Sequence, residues 1–149
     1  MAGTTIQSEI IDLVSDNRAV LDNPSSKGTG NEVDMEMLLN WDPDIIIFAP
    51  DGYYEYVEDD PVWQDLKAVK NGTYYEVPNG PYNWMGSPPS SNRILGMLWM
   101  SKLLYPQEAD YDLKETTKEY YQLFYHCDLT DSQYDQLVER SILKSEAEN

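Results

Sequence analysis

Residues 73–106 read TYYEVPNGPYNWMGSPPSSNRILGMLWMSKLLYP, and the order of structure encoded there decides the fold. Thr73 to Val77 alternates as a short strand. A loop crowded with turn formers and flat rings follows, through Gly80, Pro81, Tyr82, Trp84, Gly86, Pro88 and Pro89. Ser90 or Ser91 then offers an N-cap oxygen to an apolar helix carrying Ile94, Leu95, Leu98, Trp99 and Leu103. Pro106 stops that helix, because proline cannot continue the hydrogen-bond ladder. Strand, aromatic loop and helix N-terminus in this order describe the place where open α/β sheets hold ligands. Trp84 has two readings, ligand- or interface-facing ring and plain packing residue, and the pattern does not choose between them.

Upstream, Asp44 to Phe48 (DIIIF) is a continuous apolar run bounded by turn signals, which predicts a strand covered on both faces by helices. Pro50-Asp51-Gly52 ends it and leads to Tyr53, Tyr54 and Tyr56, also beyond the carboxyl end of a strand. Those tyrosines either join Trp84 in one cleft or cover the helix that follows. Asp60 predicts a cap for that helix, with Pro61 at its first position and Trp63, Leu66 and Val69 inside. Further helices are expected over Thr4 to Asp16, with a Thr4/Gln7 capping box, and after Asp34, with Met35, Leu38 and Leu39 inward. Two more open at the Asp112/Glu115 and Thr130/Gln133 pairs and run to Tyr125 and Ile142. Ala19 to Leu21 is a weak β-like patch, DNPSSKGTGN is loop, and 144–149 is a polar tail.

The composition removes several classes of function. Twenty-seven acidic residues against ten basic ones leave a net charge of −17, which repels phosphate backbones and excludes nucleic acid as a partner. A single cysteine, Cys127, excludes an internal disulfide and a cysteine-rich metal site. No apolar run approaches the ~20 residues of a membrane span, and the first residues lack the charged and apolar regions of a signal peptide. Glu58-Asp59-Asp60 lacks the alternating spacing of a calcium loop. His126 is the only histidine, and no triad, nucleophile elbow or zinc pair can be assembled around it. A hydrolase using Asp44 or Asp51 at a strand end lacks a partner base, so no enzyme, metal or cofactor is expected.

Three stretches, VDMEMLLNWDPDIIIF (33–48), VWQDLKAVKNGTYYEVP (62–78) and PYNWMGSPPSSNRILGMLWMSKLLYP (81–106), resemble the C-terminal lobe of cluster III substrate-binding proteins of bacterial ABC importers. The resemblance spans about Ile6 to Ile142. It implies an α/β fold, a three-layer α/β/α (Rossmann-like) lobe over 1–143 with a small, mostly parallel sheet. Such proteins act outside the cytoplasmic membrane, capturing metal chelates between two lobes and docking on permease subunits. The implied ligand is a ferric siderophore first, haem or cobalamin next. Glu36 matches the carboxylate that docks on permease arginines. Tyr53, Tyr82, Asn83, Trp84, Met85, Ser87 and Arg93 are the candidate ligand-binding residues. Arg93, in the first turn of an apolar helix, answers either an anionic ligand or a nearby carboxylate. An N-terminal lobe would supply the other half of the cleft, and without it the chain is expected to bind ligand weakly or not at all. A stand-alone glycan- or protein-interaction module using the Tyr/Trp surface is the alternative.

Overall fold

The computed structural model describes residues 9–19, 21, 32–86 and 88–142. The chain divides into two compact units, Met1–Val77 and Pro78–Asn149.

In the first unit, β1 (Ile46–Phe48) pairs in parallel with β2 (Tyr74–Glu76), with Ile46 opposite Tyr74 and Phe48 opposite Glu76. Backbone bonds from Ile46 N to Thr73 O (3.2 Å) and Val77 N to Phe48 O (3.0 Å) extend the ladder at both ends. Both strands run the same way, so the chain leaves them at the same edge of the sheet. The strands are shorter than expected, and Ile46 and Ile47 are only half-buried. In a sheet of two strands each has one unpaired edge, so β1 does not gain the cover of a central strand. The core gathers Phe48, Val57 and Tyr74, with Ile46, Tyr54, Trp63 and Val69 packed around them. Phe48 meets Tyr54 and Tyr74 edge-on at 6.3 and 6.4 Å, the arrangement that ring quadrupoles favour.

Helix α1 (Glu9–Val14) buries Ile10 alone; Thr4 and Gln7, the expected capping pair, lie outside the described residues. Helix α2 (Met35–Trp41) begins as expected, with the Asp34 carboxylate accepting from Met37 N at 2.8 Å. None of its side chains is fully buried, and Leu39, expected inward, is exposed. Ala19 and Leu21 are not in a strand, and Val20 lies outside the described residues. The helix expected after Asp60 is interrupted. A 3₁₀ turn, Trp63–Asp65, is followed by extended backbone at Leu66 (ψ 138°) and then the four-residue α3, Lys67–Lys70. Leu66 and Ala68 still reach the core, and Asp42 accepts from Lys67 N at 2.9 Å, so α3 is started by a side chain from the end of α2.

The second unit is helical. Helix α4 spans Arg93–Leu104 and ends just before Pro106, α5 spans Leu113–Tyr120, and α6 spans Asp131–Val138. Helix α4 buries Leu95, Gly96, Trp99 and Met100, while Ile94 and Met97 are exposed. Trp99 Nε1 donates to Ser141 O at 2.7 Å, tying α4 to the segment after α6. The capping box at α6 is complete, with Thr130 and Gln133 each bonding the other's backbone N–H. Helix α5 has its Asp112 cap, but a π-turn, Tyr121–Tyr125, replaces its expected last turn and closes on His126 in the left-handed region (φ 53°). Lys118 joins Glu115 to Asp131, and Lys114 pairs with Asp135 at 2.9 Å, stitching α5 to α6.

Candidate functional site

The loop opening the second unit is built around one carbonyl. Gly80 O accepts from Trp84 Nε1 (3.2 Å), Asn92 Nδ2 (3.2 Å) and the Tyr121 hydroxyl (2.5 Å), and the Gly80–Pro81 peptide bond is cis. Asn83 Oδ1 accepts from the backbone N–H of Met85 (2.8 Å) and Gly86 (3.1 Å), an Asx turn that bends the chain back on itself. Trp84, Met85 and Asn83 are all buried. All three were expected to face a ligand; here they lie inside the loop. With Trp84 fully enclosed and its N–H satisfied by Gly80, the ring packs the loop, and the Asn83 carboxamide oxygen is taken up by two amides. Tyr82, 48% exposed, is the ring the loop presents outward.

Arg93, the first residue of α4, is half-buried beneath Gly86. Gly86 has φ +103°, and a Cβ there would stand 3.1 Å from Arg93 Cδ. Glycine is therefore needed both for the backbone conformation and for the passage of the arginine stem. The α4 cap position belongs to Asn92, not to Ser90 or Ser91; Ser90 Oγ accepts instead from Asn92 N at 3.3 Å. The Asn92 side chain, fully buried, does not cap the helix but spans from Gly80 O and Tyr82 O to the Tyr125 hydroxyl. Sequence reading missed this residue, since an asparagine before a helix carries only the signal of a cap. Burial pushes the Tyr121 hydroxyl far above its ordinary titration range, and burial followed by the neighbouring Tyr120 raises Tyr125. The buried hydroxyl of Tyr120 has no hydrogen-bond partner among the described residues. Ser87 lies outside the described residues.

Two candidates belong to the first unit. Tyr53 is exposed, stacks on Trp63 at 5.4 Å and 27°, and donates to Asp60 Oδ2 at 2.7 Å. That bond is the main reason the Asp60 carboxyl is held below its ordinary range and the Tyr53 hydroxyl above its own. Glu36 is exposed in the first turn of α2, so its carboxylate is accessible to a partner's cation. The strand-end carboxylates have other uses: Asp44 pairs with Lys67, and Asp51 takes a left-handed turn conformation at φ 57°. The described residues hold no cluster of three metal-ligating side chains.

Residues 3–81, just over half of the chain, match the periplasmic binding protein family, and the chain belongs to it. Among solved structures it is similar to an ABC transporter solute binding protein from Sulfurospirillum deleyianum, with a TM-score of 0.83 and 32% identity over 93% of this chain and 43% of that one. A periplasmic solute binding protein from Veillonella parvula gives a TM-score of 0.74 and 34% identity at the same coverage. In sequence, the chain is 34% identical over 98 residues to the molybdate-binding protein MolA of Haemophilus influenzae, covering 63% of this chain and 27% of MolA. The chain thus spans less than half the length of these relatives. They are binding proteins rather than enzymes, in keeping with a sequence that offers no paired base and nucleophile.

Proposed function

We propose that this chain supplies one wall of the solute site of an ABC importer's binding protein, and that the solute is an anionic metal species. Arg93 carries this reading. It places a cation at the positive end of a twelve-residue apolar helix, beneath the Gly86 turn of the loop that presents Tyr82, in a chain of net charge −17. A cation is disfavoured at a helix N-terminus, and an anion bound there offsets that cost. A metal oxyanion such as molybdate is the first choice, because a relative bears that name. Ferric siderophores, then haem and cobalamin, follow, since Tyr82 suits a flat or partly apolar chelate. The second wall would come from an N-terminal lobe of the same protein. Glu36 would dock on cationic residues of the permease at the outer face of the cytoplasmic membrane.

The test is a nuclear magnetic resonance titration of the chain with molybdate and, separately, with a ferric hydroxamate siderophore, a method that reads weak binding. Saturable shifts at Tyr82, Arg93 and the first turn of α4, lost in Arg93→Gln, are the expected outcome. Shifts confined to Tyr53, Tyr56 and Trp63, or seen only with oligosaccharides, would transfer the assignment to a glycan-binding module built on that stacked pair.

A further inference from the structure

We infer that Asn92, together with Tyr121 and Tyr125 of the π-turn, is the positioning brace that sets the conformation of the aromatic loop and hence the placement of Tyr82 and Arg93. The inference rests on the proposed solute-binding role of those two residues. Asn92 uses three of its hydrogen-bonding positions on other elements. Nδ2 donates to Gly80 O at 3.2 Å and to Tyr82 O at 2.8 Å, and Oδ1 accepts from the Tyr125 hydroxyl at 2.5 Å. Tyr121 reaches the same Gly80 carbonyl from the same turn of backbone. The loop is therefore held from two sides, by the start of α4 and by the end of α5, through one fully buried side chain.

Tyr121 and Tyr125 stand four residues apart, a spacing that puts both on one side of a helical turn. From the π-turn their hydroxyls reach two groups bonded to one another, Gly80 O and the Asn92 carboxamide. Asn92 also lies next to Arg93 in the chain and bonds the carbonyl of Tyr82, so any shift of the brace moves both of the groups assigned to ligand. Two of the Asn92 bonds go to carbonyls of the loop and the third to the π-turn, so the side chain joins the two.

The test compares the full chain with Tyr125→Phe, which removes one hydroxyl and keeps the ring, and with Asn92→Ser, which removes the span. Amide hydrogen exchange at Trp84, Met85 and Gly86 reports the loop, because their N–H groups are bonded within it. The amides of Thr116 and Tyr134 in α5 and α6 report the rest of the unit. The expected result for Tyr125→Phe is exchange about fivefold to tenfold faster at 84–86, with Thr116 and Tyr134 unchanged. For Asn92→Ser, molybdate shifts at Tyr82 and Arg93 are expected to need several-fold more ligand, and restoring the native asparagine to restore the parent titration. Unchanged exchange at 84–86, equal acceleration throughout the unit, or parent-like molybdate binding by both variants would overturn the brace. If the parent binds neither molybdate nor the siderophore, the solute reading falls, and the exchange pattern alone still decides whether the brace exists.

Discussion

At the level of single residues, the structure makes opposite predictions about two tyrosines. Tyr53 donates to Asp60 and is the largest cause of the low carboxyl titration there. A carboxyl with a depressed folded value contributes stability that is present above its ordinary value and lost as pH falls through the folded one. Tyr53→Phe is therefore expected to raise the Asp60 titration midpoint toward 3.8, as read from its carboxyl resonance, and to shrink that acid-side loss. Tyr121 behaves in reverse. Its hydroxyl is raised by burial, so its contribution is complete below the unfolded value of 10.0 and declines as pH rises toward the folded value. Denaturant midpoints measured from about pH 8 to about pH 11 should fall, and fall less in Tyr121→Phe. Gly86→Ala tests the passage of Arg93. A positive φ and a Cβ 3.1 Å from Arg93 Cδ together predict a loss of about 1–3 kcal/mol in chemical denaturation. Each of these residues was visible in the sequence, but its role was not. Trp84 shows the reason most clearly: a ring between glycines and prolines reads equally as packing or as ligand-facing, and its burial depends on a carbonyl 41 residues from the tyrosine that also bonds it.

At the level of elements, what was legible in the sequence is what is encoded locally. Asp34, Asp112 and Thr130 each cap the helix they precede, because a side-chain oxygen two or three residues from an unpaired N–H needs no distant partner. The two parallel strands were legible from β-branched and aromatic runs between turns, although their ends were not. Where tertiary contacts decide the backbone, the reading stopped short. Pro61 to Lys70 carries a helical pattern, yet Leu66 is extended and α3 is started by Asp42, a residue twenty-five positions earlier. The π-turn is equally silent, since EYYQLFY reads as continuous helix until Tyr121 and Tyr125 find Gly80 and Asn92. The local rule yields a direct prediction: Thr130→Ala removes one half of the α6 capping box and is expected to cost about 1 kcal/mol. Thermal or urea unfolding checks it, with Thr130→Ser as the variant that should retain most of the stability.

At the level of the whole molecule, net charge decides which electrostatic effect wins. Twenty-seven acids against ten bases give a surface whose self-repulsion opposes the compact state. Opposing attractions include the ion pairs that Lys67, Lys114 and Lys118 make between elements, all with exposed partners. Exposed pairs are worth about 0–1 kcal/mol each and are themselves weakened by salt. Going from about 10 mM to about 150 mM ionic strength shortens the screening length from ~30 Å to ~8 Å. That change suppresses the long-range repulsion among seventeen excess negative charges far more than it weakens contacts of about 3 Å. The melting temperature of the full chain is therefore expected to rise over this range and to flatten above it. Sodium chloride and potassium chloride should act alike, since the effect is screening and not a bound ion. A melting temperature that falls with salt would mean that the Lys114 and Lys118 bridges between α5 and α6 outweigh the repulsion. In that case Lys118→Met should remove the salt dependence, which general screening would leave in place.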